Sequence, residues 1–134
     1  MDEIHWALDA ILDAHVAIAA AGWVSVDLYD GCFLYDFDGR RMHLIDLDEY
    51  RPASFVLDAD RLPGSGRYMA PEEWMRGATI DERTSVHHLG RALQQLLTDD
   101  RSTDRERAVT ARATDPEPGR RQPTVAALVD DWRS

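Results

Sequence analysis

The stretch Gly64-Ser65-Gly66-Arg67-Tyr68-Met69-Ala70-Pro71-Glu72 decides how this chain reads. Two glycines make a loop, an aromatic and an apolar residue follow, and Pro71 breaks any regular element just ahead of the carboxylate Glu72. Upstream, periodicity is lost from Glu49 to Met69, where Pro52, Pro63, Gly64 and Gly66 punctuate the chain. A loop longer than about 12–15 residues is uncommon unless it is functional or disordered. Downstream, Asp81 to Leu97 sets Val86, Leu89, Leu93, Leu96 and Leu97 on one helical face. The quoted stretch is thus the landing of a long surface loop onto the start of a strong helix.

Further out, Phe33-Leu34-Tyr35-Asp36-Phe37 and Met42-His43-Leu44-Ile45 flank Asp38-Gly39, which predicts two short strands and a tight turn. Carboxylates bracket that hairpin, Asp27 and Asp30 before it and Asp46 and Asp48 after it. From Ile4 to Ala21 apolar residues recur at helical spacing, with Asp2 and Glu3 suited to the helix amino end. Gly22 stops that helix, and Trp23 to Leu28 runs extended into the loop Tyr29-Asp30-Gly31. Past the charged stretch Asp99 to Arg107, a short helix is expected around Glu106 to Ala113. Asp115-Pro116-Glu117-Pro118-Gly119 breaks it, and Pro123-Thr124 opens a last helix, Val125 to Trp132. The fold class expected is mainly α, α+β overall. Trp6, Trp23, Trp74 and Trp132 read as core and packing residues, not a stacking platform, and His87 and His88 as core or surface filling without metal-ligand spacing.

Length and composition allow one domain. The 134 residues hold 44% hydrophobic and 30% charged residues, with no apolar run near the ~20 residues of a membrane helix. Met1-Asp2-Glu3 is unlike a signal peptide and the lone Cys32 has no partner for an internal disulfide, so a cytoplasmic location is expected. A net charge of -10 repels nucleic-acid backbones and anionic lipid. All fifteen cationic residues are arginine, and the chain has no lysine and no asparagine.

Taken together, these landmarks resemble the carboxy-terminal lobe of a serine/threonine protein kinase. Tyr68-Met69-Ala70-Pro71-Glu72 is similar to the P+1 loop and Ala-Pro-Glu motif, with Ser65 and Tyr68 in the activation segment and P+1 loop. Asp46-Leu47-Asp48 falls where the family has Asp-Phe-Gly, and Asp27-Leu28-Tyr29-Asp30-Gly31-Cys32 resembles the catalytic loop. Ser85-Val86-His87-His88-Leu89-Gly90 is similar to the head of the central helix. Asp115-Pro116 with Arg121-Gln122-Pro123-Thr124 resembles the closing segment. On this resemblance residues 23–37 hold the catalytic-loop region, 43–72 the metal motif and activation segment, and 81–133 the central and C-terminal helices, all within a single 1–134 unit.

The resemblance implies ATP and Mg2+ as cofactors and transfer of the γ-phosphate to a protein hydroxyl. Asp27 would be the catalytic base and Asp46 a metal ligand. Asp30 or Asp48 could replace the oxygen ligand lost at Cys32, where the family carries asparagine, because a thiol suits Mg2+ poorly. The pair Asp46 and Asp48 also resembles the spelling of choline and aminoglycoside kinases. Glu72 and Arg121 match the family's ion pair, a structural role.

Departures set the expected activity. Ser25-Val26-Asp27 lacks the arginine of His-Arg-Asp, Tyr29 stands in place of a lysine, and Ser85 replaces an aspartate, which is expected to cost the catalytic loop an anchor. The chain opens at the first helix of such a lobe, without a Gly-rich loop or a phosphate-pairing lysine, so catalysis by it alone is expected to be very poor. Three explanations follow: a fragment of a larger kinase-like protein, a stand-alone degenerate kinase that binds a protein, or the remnant of a small-molecule phosphotransferase. The cleft face, with Phe33, Leu34 and Leu47 nearer to water, is expected to meet an amino lobe, a second copy or another protein, and neither nucleic acid nor membrane.

Overall fold

The computed structural model describes residues 2–134. Asp2 caps the first helix, α1 (Glu3–Ala20), by accepting from the His5 N–H at 2.9 Å. Gly22 takes φ +88 just beyond it, a left-handed position that glycine occupies without a Cβ clash. The chain then runs through β1 (Trp23–Val24), β2 (Phe33–Asp36), β3 (Arg41–Leu44), β4 (Arg51–Pro52), β5 (Phe55–Val56) and β6 (Thr79–Ile80) into α2 (Glu82–Leu96), α3 (Asp104–Ala113) and α4 (Val125–Arg133). The strands make three antiparallel two-stranded ladders, β1 with β4, β2 with β3, and β5 with β6. Among the described residues no helix is long and apolar enough to cross a membrane.

Side-chain caps fix the later helix starts as well. Asp81 accepts from the Arg83 N–H, Thr103 and Glu106 form a reciprocal capping box, and Thr124 accepts from the Ala127 N–H. The four helices bury one core, in which Leu8, Ile11 and Leu12 of α1 meet Val86, Leu89 and Leu93 of α2 and Val125, Leu128 and Trp132 of α4. Gly90 is required where α2 crosses α3: a Cβ there would lie 2.7 Å from the Ala113 Cβ. A smaller cluster of Val24, Val26, Leu57, Leu62 and Ile80 lies under the short strands.

Three expectations change. The segment from Glu49 to Met69 is not wholly irregular, because β4 and β5 pair back onto β1 and β6; two-residue ladders are too short to leave a sequence period, and Pro52 sits on an edge where its missing N–H costs little. The hairpin turn is a four-residue loop, Phe37 to Arg40, since pairing ends at Asp36↔Arg41, and Arg40 takes the left-handed position with φ 51. Of the four tryptophans only Trp132 is buried. Trp6 and Trp74 are exposed and lie under the guanidinium groups of Arg40 and Arg61, each 4.2 Å from the ring centre, and Trp23 is also exposed.

One buried group ties α1 to the segment after Asp46. His15 is hydrogen-bonded through Nδ1 to the Ile11 carbonyl at 2.8 Å and through Nε2 to the Tyr50 hydroxyl at 2.7 Å. The carbonyl can only accept, so Nδ1 carries the proton and Nε2 accepts from Tyr50. Burial first, and His88 nearby second, pull its pKa from the ordinary 6.5 to about 4. A depressed histidine means that, as pH falls from 6.5 toward 4, the unfolded chain takes up a proton that the folded chain refuses, so stability falls. The loss from this group is expected to reach about 3 kcal/mol. Urea melts between pH 7 and 4.5 check this: His15→Gln should flatten the slope, and an unchanged slope would remove His15 as its cause.

Candidate functional site

The site grows from the end of β1. Ser25 and Val26 are buried, and Asp27 follows with φ 60, half-buried at the surface. A left-handed backbone costs an L-residue about 1–3 kcal/mol, least for aspartate and asparagine, whose short polar side chains tolerate it. Asp46, just after β3, has φ 58. The Ile45 N–H donates to the Cys32 carbonyl at 2.9 Å, which seats Asp46 beside the loop that Asp27 begins. Within that loop Cys32 N–H donates to the Tyr29 carbonyl, and the Tyr29 ring lies so close over Gly31 that any Cβ there would strike it at 2.3 Å.

Asp27, Asp30 and Asp46 therefore surround Tyr29 and Cys32. Burial pushes the Cys32 thiol up, and the Asp27, Asp46 and Asp30 carboxylates push it further, so it is held as a thiol. The Tyr29 hydroxyl is pushed up too, by Cys32 first and then, with desolvation, by the same three carboxylates. Asp48 stands at the rim of a shallow groove with Trp23, Leu47 and Tyr50. Among the described residues no side chain hydrogen-bonds or pairs with the carboxylates of Asp27, Asp46 or Asp48, while Arg67 approaches Asp30 at 3.4 Å.

The loop opposite folds onto this cluster. Ser65, half-buried, accepts through its carbonyl from the N–H groups of Tyr68 and Met69, and a Cβ on Gly64 would lie 3.9 Å from the Asp27 Cα. Arg61 pins the loop through the Leu62 and Gly64 carbonyls at 3.0 and 2.7 Å. Tyr68 is buried, with its hydroxyl facing the Asp30 backbone. Desolvation first, then Asp30, raise it to about 12, which keeps it protonated.

Two buried networks hold the loops to the helices. Glu72 and Arg121 meet in a two-pronged pair, with Nη1 donating to Oε2 at 2.7 Å and Nη2 to Oε1 at 3.0 Å, and Thr84 Oγ1 adds a third donor at 2.8 Å. Burial opposes charge on Glu72, but the Arg121 guanidinium overrides it and holds the carboxyl below its ordinary range. The second network was not legible as such in the sequence. Ser25 Oγ is 2.7 Å from His88 Nδ1, and His88 Nε2 is 2.6 Å from Glu73 Oε2, which also accepts from the Ala70 N–H at 2.6 Å. The Ser25 N–H donates to Ser85 Oγ at 2.9 Å. The anchor expected to be lost with Ser85 is thus present in a neutral form, because a serine hydroxyl accepts from the same backbone N–H that a carboxylate would. The signal for it was the second glutamate of Glu72-Glu73, set opposite a helix with two adjacent histidines.

A dedicated all-protein metal cage is not what Mg2+ needs beside a nucleotide, where one or two carboxylates join the phosphates, and Asp46 and Asp27 are the carboxylates the resemblance assigns to that end of the lobe. Among the described residues no group of three or more His, Cys, Asp or Glu is arranged to hold a metal ion. The position five residues after Asp27 carries the raised Cys32 thiol, and Asp30 is turned to Arg67. No family model matches the chain, and no curated protein matches it either.

Proposed function

We propose that this chain is a carboxy-terminal lobe of the serine/threonine protein-kinase type that works by binding a protein partner. Transfer of the ATP γ-phosphate to a protein hydroxyl is the activity of the family it resembles, and these 134 residues alone do not perform it. The observation that carries the lobe reading is the buried Glu72–Arg121 pair, which joins the Ala-Pro-Glu segment to the Asp115–Thr124 segment across 49 residues of sequence. Arg121 also donates through Nε to the Asp115 carbonyl at 2.7 Å and through Nη1 to the Arg83 carbonyl at 3.1 Å, so one side chain joins two of the landmarks that define the resemblance to the first turn of α2.

The binding role is supported by the same cleft. In the family's chemistry Asp27 would take the proton of the attacking hydroxyl and Asp46 would hold the metal. Here half-buried Asp27 and exposed Asp46 stand beside a thiol, and phosphoryl transfer needs charge neutralisation that they do not supply.

Thermal melts with and without Mg2+–ATP test this directly. A ligand at about a hundredfold over its Kd stabilises the folded state by about 2.7 kcal/mol. No shift of Tm is expected, and a rise that Asp46→Asn abolishes would show a nucleotide site and overturn the proposal.

A further inference from the structure

The core is open on one side. Between α1 and the β2–β3 hairpin lies a groove of about 370 Å³, walled by Ile4, Leu8 and Ile11 on the helix and by Phe33 and Met42 on the hairpin, with Leu96 of α2 beside them. Leu8 and Ile11 are buried, but Ile4, Phe33, Met42 and Leu96 are only half-buried, so side chains packed on the main core face unfilled space. Apolar walls around a pocket of this size suit the apolar groups of a ligand. Phe37 extends the hairpin wall at its tip. Its ring meets the Tyr35 ring edge-on at 4.9 Å and is 71% exposed, the most exposed large apolar side chain among the described residues.

Charge decides the occupant. The groove's lining includes two acids, Glu3 and Asp30. Glu3 stands at the end by the hairpin tip, where it accepts from the Tyr35 hydroxyl and pairs with Arg40 at 3.3 Å. Asp30 stands at the end where β2 begins and pairs with Arg67 at 3.4 Å. All four side chains are exposed, so both pairs are weak and either carboxylate can accept from a further cation. The one cation in the lining among the described residues, Arg101, is already faced by Asp2 and Asp100. The chain's net charge of -10 steers a cationic segment toward this surface and opposes a second copy.

We propose that this groove seats a basic amphipathic helix from a protein partner, with its apolar stripe between α1 and the hairpin and its cations at Glu3 and Asp30. This names the partner chemistry of the binding role and rests on that reading. The wall from Ile4 to Ile11 is two turns of helix, about 10 Å long. A helix lying along it offers apolar side chains at i, i+4 and i+7 over the same length. It also satisfies its own backbone against apolar walls, which an extended segment lying on those side chains would not.

Fluorescence anisotropy on the full chain tests this, with a labelled helical peptide carrying leucine at i, i+4 and i+7 and lysine and alanine elsewhere. Saturable binding is expected, weakened about tenfold or more when the same leucines are scattered round the helix or when glutamate replaces lysine. Ile4→Trp, which fills the groove from the first turn of α1, should weaken binding about tenfold, and Phe37→Ser about threefold. Val56→Trp and Val56→Ser, at an exposed apolar site on β5, should each change it less than about twofold. Glu3→Gln/Asp30→Asn should weaken it about fivefold, and Glu117→Gln/Asp130→Asn, an equal charge change on exposed carboxylates elsewhere, less than about twofold. Melts verify that each variant is folded. The inference is overturned by no saturable binding, by equal binding of the scattered-leucine peptide, or by groove variants that behave like the Val56 variants. Sedimentation showing a dimer that Phe37→Ser disperses would overturn it too, since a second copy would then fill the groove. Phosphate transfer by the wild-type chain would instead sink the binding-module reading, so the two failures are told apart.

Discussion

Glu72→Ala is expected to destabilise the chain by about 3–5 kcal/mol, enough to take up much of the stability of a domain of this size. The loss comes from what it leaves behind. Arg121 is 1% exposed, and without Glu72 its guanidinium keeps only carbonyl acceptors, those of Asp115, Arg83 and Pro116, for a full positive charge. Arg121→Ala should cost a similar amount by stranding the Glu72 carboxylate beside Thr84. The double variant should lose clearly less than the two singles together, because neither charge is then left alone. Replacing the pair by Met and Leu should recover part of the loss. Urea melts of the four proteins measure the coupling, and small additive losses would mean that the pair does not hold the segment.

His88→Ala is expected to cost about 3–5 kcal/mol as well, through a cavity in α2 and an orphaned carboxyl group. Glu73 is fully buried, its Oε1 already lacks a partner, and His88 supplies one of the two hydrogen bonds to its Oε2. The same change strips Ser25 of its side-chain link to the segment 70–74. Asp27 lies two residues beyond Ser25, so its loop should loosen along with the fold. Hydrogen exchange is expected to quicken at the Ser25 and Ala70 amides before it does in the helical core. His88→Gln, which can still bond both ways, should lose less than the alanine variant. A loss below about 1 kcal/mol for His88→Ala would remove this network from the account.

The helices were legible because their signals are local. Asp2, Asp81 and Thr124 sit one residue before a helix's first turn, and Val86, Leu89 and Leu93 repeat at helical spacing, so period and cap locate α1, α2 and α4 within a residue or two. The meeting of Glu72 with Arg121 is legible only through the resemblance to a protein-kinase lobe, since nothing local in either residue points to the other. What stayed hidden is non-local and polar. Ser25, Glu73 and His88 come from three separate segments, and only the crossing of β1 over α2 makes neighbours of them. The short ladders of β4 and β5 were hidden for a different reason: two residues carry no period. Trp6, Trp23 and Trp74 were misjudged because large aromatic area argues for burial, whereas on this surface arginine stems and guanidinium groups cover two of the rings instead.

Incubation of the purified chain with γ-labelled ATP and Mg2+ or Mn2+, followed by counting label in the chain and in free phosphate, tests the central claim most directly. The account predicts no incorporation and no release above a buffer blank, since these residues include no lysine to neutralise the ATP phosphates and a thiol, Cys32, stands where the family carries its metal-binding asparagine. Incorporation or release that disappears in both Asp27→Ala and Asp46→Ala would show that the cleft carries out phosphoryl transfer, and would contradict it.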